Sequence, residues 1–180
     1  MGYTADREFN ILNGIHRQIY FDQAKGHKVD VFIGTFEMCH RLPLSKRLDI
    51  DNWTVPLSEL LLTKTQIFHL TRRDVIDLAT LLLDHPVGEG DGETINIEQI
   101  VHLCIRDWGL YTTTLQNLDK MMAMLKHEKL LEESQTRTIS IGVDKIKSAL
   151  EQTKKTFRWE VRNKVGRRLR WYAEVEEIDR

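Results

Sequence analysis

The hydrophobic period of this chain changes near Pro56, and that change limits the fold more than any other feature. Ahead of it lie short apolar runs separated by turn residues; behind it apolar residues recur at helical spacing. The division predicts an α+β fold, with a small antiparallel sheet followed by a mainly helical C-terminal region. At the front, Phe9-Asn10-Ile11-Leu12 and the run from Ile15 to Phe21 flank Asn13-Gly14. Asn-Gly between two apolar runs is a strong hairpin signal, because both turn positions need positive φ. A second turn at Lys25-Gly26 leads into Lys28 to Ile33, so the front predicts a three-stranded antiparallel meander. Such a sheet needs a covering layer to bury its apolar face. From Phe36 to Val55 the pattern is weak, Pro43 interrupts any long helix and Asp51-Asn52 marks a turn.

Pro56 suits the first turn of a helix whose stripe is Leu57, Leu60, Leu61, Ile67 and Phe68. Thr71, with Asp74 three residues on, opens the next helix close to a capping box. An acidic, Gly-rich loop from His85 to Glu93 follows, and Asn96 caps a third helix to about Asp107. Trp108-Gly109 is expected to break that helix, and a fourth runs from about Thr112 to Leu131. The polar stretch Glu132 to Thr138 is expected to separate it from a last helical segment beginning near Val143.

Hydrophobic residues at 41% and charged residues at 29% suit a packed globular protein rather than a disordered one. The 26 basic and 27 acidic residues nearly cancel, so only the local distribution of charge can point to a partner. Cys39 and Cys104 form no C-x-x-C pair, and the first residues lack an apolar signal core. Together these predict reduced thiols in a cytoplasmic protein. No apolar run approaches the roughly 20 residues that span a bilayer, so no membrane partner is expected. Met1-Gly2 is no myristoylation signal, because position 6 is Asp6.

Four acidic or basic residues are candidates to carry chemistry. On the strand around Asp30, Val29, Val31 and Ile33 share one face and are expected to form the core side. Asp30 lies mid-strand on the other face, where Asp is depleted; it is either a solvated surface carboxylate or a base or Mg²⁺ ligand on a rigid strand. Lys64 falls within the apolar stripe of the first helix and must snorkel, find an anion or line a cleft. Asp74 and Asp77 are neighbours on one helix surface, in the first two turns where the helix dipole favours negative charge. Asp74 can also complete the cap with Thr71, whereas Asp77 is harder to explain that way. The seven histidines show no metal spacing and read as structural or surface residues.

The C-terminal stretch carries Lys154, Lys155, Arg158, Arg162, Lys164, Arg167, Arg168 and Arg170, opposed only by Glu160. Phe157, Trp159 and Trp171 interleave. Basic residues mixed with aromatics suit the phosphates and unstacked bases of RNA, through Arg158, Arg162, Arg167 and Arg168 with Trp159 or Trp171 available for stacking. The plainer reading pairs this run with the acidic tail (Glu174, Glu176, Glu177 and Asp179) or with the loop near Asp91.

Several segments, taken in order, resemble a bacterial nucleotidyltransferase family related to the AbiE-type toxins. They are Gly2-Tyr3, Phe9-Asn10, Val29-Asp30-Val31-Phe32, Phe36-Glu37-Met38-Cys39-His40 and Thr54-Val55-Pro56 leading to Glu59-Leu60-Leu61-Leu62-Thr63-Lys64. Asp74-Val75-Ile76-Asp77-Leu78, Asp107-Trp108-Gly109-Leu110 and Trp171-Tyr172 continue the match. The resemblance implies a partial nucleotidyltransferase core over residues 1–55, a helical region packing on it over 56–131 and a basic helical extension over 132–180. It further implies Mg²⁺-dependent transfer of a nucleotide from an NTP to an RNA or protein acceptor. Asp30 then matches the third metal carboxylate, Lys64 the lysine near the triphosphate, and Asp74 and Asp77 the D-x-x-D motif. Asp30, Lys64 and Asp77 are the catalytic candidates, and they are expected to face one cleft.

The family's Gly-Ser turn and Asp-x-Asp should precede the hairpin, yet only eight residues precede Phe9. Gly34-Thr35, thirteen residues and Asp49-Ile50-Asp51 imitate that motif, but they follow the Asp30 strand and Pro43 lies between. Two-metal phosphoryl chemistry needs several carboxylates. The expectation is therefore a nucleotidyltransferase-like chain with negligible activity alone, its front omitted, lost or supplied by another chain. The other reading is a non-catalytic module, an antitoxin-like partner or a nucleic-acid-binding remnant.

Overall fold

The computed structural model describes residues 2–175. The front of the chain is β1 (Tyr3–Ala5), α1 (Arg7–Asn13), β2 (Arg17–Asp22) and β3 (His27–Phe32). The three strands form an antiparallel sheet with β2 in the centre. The Lys25-Gly26 turn forms as expected, with Gly26 at φ 68. The Asn13-Gly14 hairpin does not, because the Phe9–Leu12 segment is helical. Asp6 caps that helix by accepting from the Phe9 N–H at 3.1 Å. Gly14 closes it at φ −63, donating to the Asn10 carbonyl, so it never adopts the positive φ of a hairpin turn. Asn10 fixes the helix to the sheet, its amide bonding both the N–H and the C=O of Ile19.

The covering helix also settles which face of the sheet is buried. Ile19 is fully buried, and its partner across β2 and β3 is Asp30. Arg17 and Phe32 are likewise paired, and the Arg17 guanidinium lies over both Phe9 and Phe32. Helix α1 therefore covers the Asp30 face. Val31 and Ile33, expected as core, are exposed, because α1 is a single short helix seated on the opposite face.

A hairpin of β4 (Thr35–Glu37) and β5 (Arg41–Pro43) leads to α2 (Leu57–Thr65) and α3 (Arg72–Asp84). The short parallel pair β6 (Val87–Gly88) and β7 (Ile95–Asn96) brackets the Gly-rich loop. Four helices follow: α4 (Ile97–Cys104), α5 (Trp108–Glu128), α6 (Glu133–Gln152) and α7 (Phe157–Val165), with a 3-10 turn at Gly166–Arg168. This is an α+β protein with a small sheet and a mainly helical remainder. One hydrophobic cluster runs from Leu42 through Leu61, Leu78, Ile100 and Leu118 to Leu150. None of the described helices is long and apolar enough to cross a membrane.

Three helix boundaries depart from the sequence pattern. Helix α4 stops at Cys104, and Asp107 caps α5 by accepting from the Leu110 N–H at 3.0 Å. Trp108-Gly109 is thus the first turn of α5, not a break. Lys129, in the left-handed region at φ 50, ends that helix. Helix α6 begins at Glu133, ten residues before the expected start near Val143. The Glu132 N–H finds the Gln135 side chain at 3.0 Å, and Ile139, Val143, Ile146 and Leu150 keep one buried stripe.

Helix α2 is rotated from its expected face. It buries Ser58, Glu59, Leu61, Leu62 and Thr65, and it ends before Ile67 and Phe68. Lys64 consequently borders the buried face. Its side chain is 30% exposed.

Candidate functional site

Lys64 and the D-x-x-D residues meet. The Lys64 Nζ lies 2.6 Å from Asp77 Oδ2 and 3.3 Å from Asp74 Oδ1. Thr71 organises the same carboxylate as a full capping box: its Oγ1 donates to Asp74 Oδ2 at 2.6 Å, and its N–H reaches that oxygen at 3.1 Å. Burial opposes ionisation of Asp74, but the bonds from Thr71 and Lys64 outweigh it and hold the carboxyl below the usual range. Burial likewise opposes the Lys64 charge, and Asp77 and then Asp74 more than offset it, raising the lysine. Lys64 and Asp77 line a cavity of about 330 Å³ with Leu60, Leu78, Leu81 and His85.

Asp30 does not line that cavity. Its Oδ1 accepts from Arg17 Nε at 2.9 Å and Nη2 at 2.7 Å, and Lys28 Nζ stands 3.8 Å from Oδ2. Two cations on one carboxylate repel a divalent ion, so the Asp30 site does not fit Mg²⁺. Among the described residues, no three His, Cys, Asp or Glu side chains converge as a metal site. The Asp49-Ile50-Asp51 imitation is a turn: Asp51 Oδ1 accepts from the Trp53 and Thr54 N–H groups at 2.7 and 2.9 Å.

A polar network escaped sequence reasoning. Glu59 is fully buried on α2 and accepts from Arg47 Nε at 2.6 Å, Ser58 Oγ at 2.6 Å and Gln99 Nε2 at 2.9 Å. The other edge of the same guanidinium holds Asp91, with Nη1 at 3.0 Å from Oδ2, and Asn96 Nδ2 supports Asp91 at 3.1 Å. Asp91 raises the Arg47 pKa most, and Arg47 in turn depresses Asp91. This knot anchors the Gly-rich loop to α2. A lone Glu within Glu59-Leu60-Leu61-Leu62 was its one visible signal.

The basic C-terminal stretch divides into charges bonded to backbone or carboxylate and charges without an ion-pair partner. Lys155 donates to the carbonyls of Leu150, Glu151 and Thr153, closing the C-terminus of α6. Arg162 donates to Gly166 O at 2.6 Å and Leu169 O at 2.9 Å, and its guanidinium lies 4.7 Å from the Trp108 ring centroid. Arg170 pairs with Glu174 at 2.7 Å, part of the tail pairing anticipated above. Glu176, Glu177 and Asp179 lie outside the described residues. Arg158, Lys164, Arg167 and Arg168 are exposed, and among the described residues none forms an ion pair; Arg167 lies 5.9 Å from the Trp171 ring centroid and reaches the Gln116 side-chain amide.

The two tryptophans expected to stack on bases are committed elsewhere. Trp159 is buried edge-on against Tyr111. Trp171 donates Nε1–H to Thr113 Oγ1 at 3.0 Å and packs against Trp108, Phe68 and Tyr172. Trp159 is buried and Trp171 half-buried, each packed against other aromatic rings of the fold. Phe157, 82% exposed at the start of α7 and next to Arg158, is the available aromatic face.

Between the α4–α5 turn, the start of α5 and α7 lies a cavity of about 280 Å³. Its wall includes Arg106, Arg158, Arg162, Asp107, Trp159 and Trp171. Thr156 sets the approach of Arg158 to Arg106, since its N–H and Oγ1 both reach Ile105 O, at 3.3 and 3.1 Å. Trp108 Nε1 donates to Asn163 Oδ1 at 2.7 Å, tying α5 to α7.

Comparison with protein-family models, with curated proteins and with solved structures gives no match to this chain.

Proposed function

We propose that this protein binds single-stranded RNA through the exposed face of α7 and the turn after it. The observation that carries this reading is the set Arg158, Lys164, Arg167 and Arg168, exposed and without ion-pair partners among the described residues, beside the exposed ring of Phe157. Unpaired cations neutralise phosphates, and a bare aromatic face stacks on any unpaired base. Neither contact selects a sequence, so the binding is broad in specificity. An RNA partner and two unpaired cysteines suit the cytoplasm. Fluorescence anisotropy with labelled single-stranded RNA tests the proposal. Arg158→Ala, Arg167→Ala and Arg168→Ala together should weaken binding at least tenfold while the circular dichroism spectrum is kept. Unchanged affinity would reject the face.

The second reading is nucleotidyl transfer from an NTP with Mg²⁺, by resemblance to the AbiE-type family. It is supported by the meeting of Lys64 with Asp74 and Asp77 beside a cavity. Its test is incubation with Mg²⁺, each labelled NTP and RNA or protein acceptors. Incorporation that Asp30→Ala or Lys64→Met abolishes would establish it. The ion pairs that already engage Asp30 and Lys64 predict no incorporation by this chain alone.

A further inference from the structure

We propose that the cavity between the α4–α5 turn, the start of α5 and α7 is a phosphate-monoester site. The proposal rests on the RNA reading for its larger ligand, the 5′-phosphorylated end of a strand, and a free phosphate or nucleotide carries the same group. Three arginines from two separate elements face one space of about 280 Å³. That is below the roughly 300–1,000 Å³ of sites for drug-sized ligands, and it suits a small anion with its waters. Arg106 and Arg158 form no ion pair among the described residues. Arg162 is held in place by two carbonyls, which leave its charge uncompensated. One carboxylate, Asp107, also lines the wall, but its Oδ1 is engaged with the Leu110 N–H as the cap of α5.

A second observation is independent of charge. Trp159 lines the cavity, is 9% exposed, and its Nε1–H is buried with no acceptor among the described residues. A buried donor without a partner is costly, and a small turn of the ring that brings this edge to the cavity would let an oxyanion satisfy it. Trp108 and Trp171, the other two indoles of the wall, both have acceptors for their N–H groups. The ligand class follows from the donors. Guanidinium forks and an indole N–H contribute hydrogen-bond donors and positive charge, which match phosphate oxygens bidentately.

The test uses the full chain, with Arg106→Gln as the key variant because Arg106 lies outside the α7 face. Three of the four tryptophans line the cavity, so intrinsic fluorescence reports occupancy. Anisotropy compares one oligonucleotide with a 5′-phosphate and with a 5′-hydroxyl. The phosphorylated strand should bind about tenfold tighter, a difference that Arg106→Gln and Trp159→Phe each reduce. Inorganic phosphate and a nucleoside monophosphate, titrated separately, should change the fluorescence of the wild type and much less that of Arg106→Gln. RNA binding with no preference for the 5′-phosphate, and no response to either small ligand, would overturn the site and leave the RNA face standing. If neither strand binds but the small ligands act through Arg106, the RNA face fails and the phosphate site stands with free phosphate or nucleotide as its source.

Discussion

At position 109 a single methyl group would decide whether the C-terminal segment can dock. A Cβ there would lie 2.6 Å from the Trp171 carbonyl oxygen and 3.0 Å from the His40 ring, so only glycine lets that backbone approach. Gly109→Ala should lower unfolding stability by about 1–3 kcal/mol in urea titration. Arg47 matters for the opposite reason, as the partner of a fully buried carboxylate. Arg47→Met would leave the buried Glu59 without its guanidinium partner, and should cost about 3–5 kcal/mol. Acid titration tests the other half of the knot. The Asp91 pKa is depressed in the fold by its bond to Arg47. Its contribution is therefore full above the unfolded value of about 3.9 and is lost as pH falls through the folded value. Asp91→Asn should lower stability at neutral pH and flatten the loss of stability below about pH 4.

Among the elements, α3 has the most explicit start. Thr71→Ala removes the side-chain half of the capping box and the Oγ1 bond that holds Asp74, leaves the backbone half in place, and should cost about 1 kcal/mol. That box was legible in the sequence, as were the Lys25-Gly26 turn, the Asn96 cap and the division into sheet and helices. The failures have a common cause. Asn13-Gly14 is a strong local signal, but Asp6 caps a helix across it and Asn10 locks that helix to Ile19. Trp108-Gly109 looked like a break because the close approach of Trp171 cannot be seen locally. The face of α2 is not legible locally, because a buried Glu59 is intelligible only with Arg47, twelve residues away, and Gln99, forty away. At the candidate sites, the sequence marked Lys64, Asp74, Asp77 and the basic stretch; Lys64 and Asp77 line one cavity, whereas Asp30, expected in the same cleft, does not. The sequence could not separate Arg162 and Lys155, which bond to carbonyls, from Arg158 and Arg168, nor bring Arg106 to Arg158.

As a whole molecule, the chain returns its C-terminal segment to its middle. Tyr172 stacks on Phe68 with centroids 3.6 Å apart, and the Ala173 N–H donates to Cys39 O at 2.9 Å. That return fixes the turn after α7, and with it the exposed arginines that carry the proposed RNA contact. Net charge is only −1, so attraction to RNA must come from this local face rather than from the whole protein. Salt dependence of RNA affinity separates a phosphate-contacting face from an inert basic surface, because each phosphate contact releases counterions. The most direct measurement is therefore single-stranded RNA affinity from 50 to 300 mM salt, for the wild type and for the triple variant of Arg158, Arg167 and Arg168. The account predicts a linear log–log decline for the wild type with a slope of about −0.7 per contact, shallower by about 2 in the triple variant. Affinity that is insensitive to salt, or a slope identical in the two proteins, would contradict it.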